Sequence, residues 1–237
     1  MKILLIIPAY NEEESIEKVV REIEEKCPEC DYVVVNDCST DHTEEILKQK
    51  NINHVSLSAN LGIGGAVQTG YKYAMHYGYD IAIQQDGDGQ HDPAYIQDVI
   101  QPIVQKEADL VIGSRFIEKN GFQSSFSRRA GVRFLCGVIR LVCGVKVTDC
   151  TSGYRAAGKE LIAYFSRSYA QDYPEPEAIV SAALAGFKVK EVPVIMRERQ
   201  GGVSSLNLMK SALYMIKVPL ALVLRRLMMK RIRGEKR

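Results

Sequence analysis

Five short apolar runs, at residues 3–7, 32–35, 54–57, 81–84 and 110–112, recur along the first half of the 237-residue chain with helix-patterned stretches between them. That alternation marks a mostly parallel, Rossmann-like sheet flanked by helices on both faces, the α/β class. The first connecting helix is expected from Glu13, with Ile16, Val19, Val20 and Ile23 at helical spacing. A second follows the capping side chains of Ser39, Thr40 and Asp41 and covers 44–48, a third covers 66–77 and a fourth 132–142. No repeat and no linker interrupts this pattern, so residues 1–205 read as one domain and 206–237 as an amphipathic, basic appendage.

In an open sheet of this kind ligands bind beyond the carboxyl ends of the strands, so the polar residues there are the ones to examine. Four successive strand ends carry them: Pro8, Ala9, Tyr10, Asn11 and Glu12; Asn36 and Asp37; Asn60, Leu61 and Gly62; Asp86, Gly87 and Asp88. Two carboxylates as close as Asp86 and Asp88 repel each other unless a cation lies between them, and oxygen ligands suit Mg²⁺ or Mn²⁺ with a diphosphate completing the shell. The competing reading is a polar Asp-Gly turn. Asp37 can accept a hydrogen bond from a base or ribose, while Ser39 and Asp41 fit helix capping. Gly62, Gly64 and Gly65 could cradle a phosphate, but no G-x-G-x-x-G follows the first strand and no G-x-x-x-x-G-K-[ST] occurs. Dinucleotide binding and a Walker-type ATPase are therefore unsupported.

The opening run is too short for a secretory signal and lacks a small-residue cleavage site, which predicts a cytoplasmic chain with its six cysteines free. Cys27 and Cys30 have the spacing of half a zinc site, without the residues to complete it. Charge is unevenly placed: residues 225–237 hold seven Lys+Arg against one Glu, while the remainder has 24 basic and 28 acidic residues. Apolar stretches at 213–216, 218–224 and 227–229 adjoin that basic end, which favours a membrane surface, or a small membrane partner protein, over nucleic acid. The longest uncharged piece, 218–224, is far short of the ~20 residues a spanning helix needs.

PAYNEEES after the first strand, VVVNDCSTD, NLGIGGA, DGDGQH, GSRF, VTDCTSGYR and RQGGVSS occur in that order over residues 3–205. In this the chain resembles the family 2 glycosyltransferases of GT-A fold, and among them the polyprenyl-phosphate sugar transferases of the dolichol-phosphate mannose synthase kind. The resemblance implies an inverting, metal-dependent transferase acting at the inner face of the cell membrane as a peripheral protein. Its donor would be a nucleotide diphosphate-sugar, UDP first and GDP second, and its acceptor a polyprenyl phosphate. Pro8, Ala9, Tyr10, Glu12, Asp37, Asn60, Gly62, Asp86, Gly87 and Asp88 would then border the nucleotide-sugar, and Asp86, Asp88 and Gln90 would hold Mg²⁺ or Mn²⁺. Asp149 matches the family's catalytic acidic residue, for which a helix cap or turn is the local alternative. Arg115, Arg128, Ser152, Arg155, Arg199 and Ser204 would bind the acceptor or its phosphate. Two departures are visible: Ile63 stands where relatives often have Lys, and the basic C-terminus replaces paired membrane helices. Alternatives are a transferase that decorates a lipid-linked or cell-wall glycan and, in another class, a sugar nucleotidyltransferase. A homo-oligomer is compatible with all of them.

Overall fold

The computed structural model describes residues 1–118, 125–197 and 208–234, with side chains within the last helix described over 213–228. Seven strands form one sheet: β1 (Ile3–Ala9), β2 (Asp31–Asn36), β3 (His54–Ser56), β4 (Ile81–Gln84), β5 (Leu110–Ser114), β6 (Arg155–Gly158) and β7 (Val189–Pro193), in the order β3-β2-β1-β4-β6-β5-β7. Every residue of β1 is buried, the signature of a central strand covered on both faces. Its neighbours β2 and β4 run parallel to it, as β3 does to β2 and β7 to β5.

The exception is β6, which is antiparallel to both β4 and β5. Its first residue, Arg155, pairs with Gln84 at the end of β4 and with Ile112 near the end of β5. An antiparallel strand enters the sheet where its parallel neighbours leave it. The segment preceding β6, Asp149 to Tyr154, is therefore delivered to the same edge as the strand-end motifs of β1, β2 and β4.

Helices cover both faces. On one side α1 (Ile16–Lys26) and α4 (Ile96–Val104) enclose a core with the odd-numbered side chains of β1, and Ile16, Val19, Val20 and Ile23 are buried as their spacing predicts. On the other lie α3 (Gly62–His76), α5 (Phe126–Cys143), α6 (Lys159–Arg167) and α7 (Pro174–Ala185). The short α2 (Thr43–Gln49) has His42 at its N-cap without a side-chain cap; of the capping residues expected there, Asp41 Oδ1 accepts from Thr43 N at 3.0 Å, while Ser39 bonds Asn36 and Thr40 bonds Asn11. The fourth helix predicted from sequence begins earlier than 132, because Ser125 Oγ accepts from Arg128 N and caps α5 there. The last helix, α8 (Leu208–Gly234), lays Val218 and Leu222 into the core, so the C-terminal segment is anchored along one face.

The glycines of α3 have packing duties. A Cβ on Gly70 would come within 2.2 Å of Ile6 Cγ2, and one on Gly64 within 2.2 Å of the Ala170 carbonyl oxygen. Gly65 is similarly crowded by Leu61, and only Gly62, at φ +75°, borders open space. Close docking of the 170–171 segment thus accounts for Gly64, and contact with the Leu61 side chain for Gly65. Because backbone cannot yield as a side-chain tip can, Gly64→Ala is expected to lower stability by roughly 1–3 kcal/mol in urea titration. Gly137→Ala, in the exposed middle of α5 with nothing within 4 Å, is expected to raise it by about 0.5–1 kcal/mol.

Candidate active site

The donor side of the cleft is assembled by short polar contacts between strand ends. Asp37 N donates to Ala9 O at 2.9 Å, tying the ends of β2 and β1. The buried Asp37 carboxylate accepts from Leu61 N at 2.7 Å, and Asn60 Nδ2 donates to Asp37 O at 3.2 Å. Asn60 Oδ1 in turn accepts from Gly62 N at 3.1 Å. Burial raises the Asp37 pKa above the usual carboxylate range, against the lowering by the Leu61 and Gly62 amides. Glu12 Oε2 accepts from Ser15 Oγ, which also donates to Gly87 O at 2.8 Å, so the Pro8–Glu12 loop is fastened onto the Asp86–Asp88 turn. A Cβ at Gly87 would lie 3.2 Å from Pro8 O. Tyr10 stays half exposed at the rim.

The Asp86-Gly87-Asp88-Gly89-Gln90-His91 turn leaves β4 at the sheet edge. Gln84 Nε2 donates to Asp86 Oδ1 at 3.3 Å, and Asp88 Oδ1 accepts from Gln90 N at 3.0 Å. His91 is buried, stacks on Tyr154 with ring centroids 4.8 Å apart, and accepts from Asp86 N through Nδ1 at 3.0 Å. In the neutral ring this places the proton on Nε2, 3.7 Å from Asp86 Oδ2. His91 is a scaffold for Asp86. The Asp86 carboxylate also rests on Gly153, where a Cβ would meet Oδ2 at 2.7 Å.

Among the described residues no three His, Cys, Asp or Glu side chains converge as a metal cluster. Asp86, Asp88 and Gln90 supply oxygen only, the donor chemistry of Mg²⁺ or Mn²⁺, and a set of two carboxylates and one amide leaves positions for a diphosphate. Gln90 Nε2 donates to Arg197 O at 3.3 Å, which leaves Oε1 as the amide atom able to face a cation. The residues fit such an ion. Cys27 and Cys30, by contrast, are buried thiols whose pKa values burial pushes up to about 11 and about 12, a poor basis for zinc.

The acceptor side is built around charge. Asp149 is completely buried and paired bidentately with Arg115, Nε to Oδ2 at 2.6 Å and Nη2 to Oδ1 at 3.1 Å. Thr151 Oγ1 donates to the same Oδ1, and Glu191 of β7 holds the loop by accepting from Thr148 N at 2.7 Å and Asp149 N at 2.8 Å. Burial of its guanidinium, ahead of the charge of Arg115, lowers the Arg128 pKa, with the charges of Asp149 and Tyr214 opposing. Beside them a cleft of about 640 Å³ has Phe116, Phe126 and Val132 in its walls and Arg129, Arg133 and Arg140 along it.

Two of the residues that the sequence places on the acceptor are built into the frame. Arg155 is 1% exposed and donates from Nε to Ser152 O (2.6 Å), from Nη1 to Glu175 O (2.5 Å) and from Nη2 to Cys150 O (3.1 Å). Ser152 is buried and its Oγ accepts from Tyr154 N. Arg199 and Ser204 lie outside the described residues. Sequence reasoning passed over Gly153, Thr151 and Glu191; a signal existed only for the first two, as members of the Asp149–Arg155 motif.

A mixed sheet whose carboxyl edge gathers a strand-end Asp-Gly-Asp turn and a buried Arg115–Asp149 pair has the architecture of a GT-A glycosyltransferase. The chain belongs to glycosyl transferase family 2, whose model matches residues 4–165. It is 34% identical over 212 residues to the UDP-N-acetylglucosamine–dolichyl-phosphate N-acetylglucosaminyltransferase of Methanococcus voltae, covering 81% of this chain and 84% of that one. It is 29% identical over 219 residues to the undecaprenyl-phosphate mannosyltransferase of Micrococcus luteus, covering 87% and 88%. Among solved structures, glucosyl-3-phosphoglycerate synthase from Mycobacterium tuberculosis, in complex with Mn²⁺, UDP and phosphoglyceric acid, shares the fold with a TM-score of 0.72 at 21% identity, over 95% of this chain and 78% of that one.

Replacing Arg155 by Met removes its three donors to the carbonyls of Cys150, Ser152 and Glu175, and stability is expected to fall by about 3 kcal/mol or more. Chemical denaturation measures this; a raised acceptor KM with an unchanged denaturation midpoint would instead make Arg155 a ligand-binding residue.

Proposed function

We propose that this protein transfers a sugar from a nucleotide diphosphate-sugar, UDP-linked by preference, to a polyprenyl phosphate, with inversion at the anomeric carbon. The observation that carries the choice of acceptor is the state of Asp149. A hydroxyl acceptor needs a general base within hydrogen-bond reach, and both Asp149 oxygens are already engaged by Arg115 and Thr151 in a fully buried pocket. A phosphate acceptor arrives as an anion and needs cations instead. Arg115 and Arg128 supply them, and guanidinium forks match phosphate oxygens. The names of the two polyprenyl-phosphate relatives support the same acceptor.

In this reading the Pro8–Glu12 loop, Asp37, Asn60 and Gly62 border the nucleoside, with the buried Asp37 carboxylate accepting from the base. Asp86, Asp88 and Gln90 hold Mg²⁺ or Mn²⁺ against the diphosphate; when bound, the ion neutralises the charge that develops on the leaving nucleotide. An acceptor phosphate oxygen, oriented by Arg115 and Arg128, attacks the anomeric carbon from the face opposite the leaving group. Asp149 acts through Arg115 as a positioning residue, and Arg155 keeps the loop in place. Arg199 and Ser204 would complete the acceptor side.

No helix among the described residues is long and apolar enough to cross a membrane. The lipid substrate is instead met at a surface. Phe126, Phe134 and Leu141 of α5 and Ile216, Leu220, Leu224 and Leu227 of α8 are exposed, and Arg226 Nη1 binds Leu141 O to join the two helices. Apolar side chains beside a basic C-terminus suit peripheral binding to the anionic inner face of a cell membrane.

With Mn²⁺, UDP-sugars and polyprenyl phosphate, release of UDP is expected only when lipid and donor are both present, and Asp88→Ala is expected to abolish it. Donor turnover stimulated by a glycan instead of the lipid would overturn the acceptor assignment. Asp149→Asn is expected to lower kcat without altering the shape of its pH profile; a general base would show a loss of about 10²–10⁴-fold together with loss of the acidic limb, where its protonation stops turnover. In flotation assays with vesicles containing about 30% anionic lipid, Ile216→Asp combined with Leu220→Asp is expected to abolish binding while UDP affinity stays unchanged.

A further inference from the structure

Gln90 is gripped from an unexpected direction. Past β7 the chain returns to the metal-motif turn, where Met196 pairs with His91 as an antiparallel bridge. Arg197 N donates to Gln90 O at 2.9 Å, and Arg197 O accepts from Gln90 Nε2 at 3.3 Å, so one residue holds both the main chain and the side-chain amide of Gln90. The Arg197 guanidinium then anchors that grip to the body of the fold. It forks onto Glu22 of α1, at 2.8 Å to each carboxylate oxygen, and reaches Asp92 Oδ2 at 2.5 Å. Lys26 closes the cluster at 2.7 Å from Glu22 and 3.0 Å from Asp92.

This matters because an amide is not symmetric. A Gln ligand can hold a cation through Oε1 and repels it through Nε2, and a half-turn of the side chain exchanges the two. A main-chain carbonyl placed on Nε2 removes the wrong orientation. We infer that Arg197 is a positioning residue for the cation site: clamped to Glu22 and Asp92, it presents its carbonyl to Gln90 and so fixes Oε1 toward the ion.

Partners that orient metal ligands typically contribute about 10- to 100-fold to metal affinity. Manganese EPR titration of the full chain in the presence of UDP is expected to show Mn²⁺ affinity about 10-fold weaker in Arg197→Ala, with kcat recovering at saturating Mn²⁺. Gln90→Ala with Arg197→Ala is expected to bind Mn²⁺ no more weakly than Gln90→Ala alone, because the clamp then has nothing to orient. Unchanged affinity in Arg197→Ala, or losses that add in the double variant, would overturn the role. The role presupposes the proposed cation site, so Asp88→Ala is the reference. If Asp88→Ala binds Mn²⁺ like the parent, the cation site itself is wrong; if it loses Mn²⁺ while Arg197→Ala does not, only the clamp is wrong. Should Arg197→Ala melt before it can be titrated, Glu22→Gln weakens the same anchor and is expected to shift Mn²⁺ affinity in the same direction.

Discussion

The buried guanidinium of Arg155 is the contact on which the rest of the site depends. A permanent charge at 1% exposure is tolerable only if its donors are satisfied, and here each of its three nitrogens faces a main-chain carbonyl. Those carbonyls belong to the turn before β6 and to the first turn of α7. One side chain therefore fixes the entry of the antiparallel strand, the loop carrying Asp149 and the helix behind them. Glu175, whose carbonyl it holds, lies close enough for Arg155 to oppose the upward shift that burial gives its carboxyl.

On that frame the Arg115–Asp149 pair is a device for direction more than for stability. Buried ion pairs add little net stability, since the desolvation of both charges offsets their attraction. What the bidentate geometry supplies is a guanidinium whose plane is set before any anion arrives. Glu191 strengthens this from behind by holding two amides of the same loop. In the proposed reaction the like charges of Arg115 and Arg128 would be offset by the acceptor phosphate.

The parallel half of the sheet is legible in the sequence because its strands are uninterrupted apolar runs, each followed by polar residues at the same edge. The antiparallel insertion is not. β6 reads Arg-Ala-Ala-Gly, without the branched apolar content that betrays a strand, and β7 reads Val-Lys-Glu-Val-Pro, where two separated valines make no apolar run. That gap explains why Arg155 looks like a ligand from the sequence. Its motif is recognisable, but whether the side chain points to the cleft or into the frame depends on a strand whose existence is hidden. Gly64 illustrates the same limit, since a glycine admits either a ligand or another stretch of backbone, and only the arrangement of 170–171 decides between them. Asp86 and Asp88 are legible as a carboxylate pair at a strand end, while the bond from Gln90 N to Asp88 Oδ1 belongs equally to the polar Asp-Gly turn that the sequence also allows.

Gly153 and Asp86 are 67 residues apart in sequence, counting from 86 to 153, yet the Asp86 carboxylate occupies the place a Cβ at 153 would need. The 149–154 loop and the 86–91 turn are thus cut to fit each other here, as they are where His91 stacks on Tyr154. Halves taken from two relatives would join here only if both kept the small residue and the acid. A larger residue at 153 would displace the Asp86 carboxylate, so each turn limits what the other can carry.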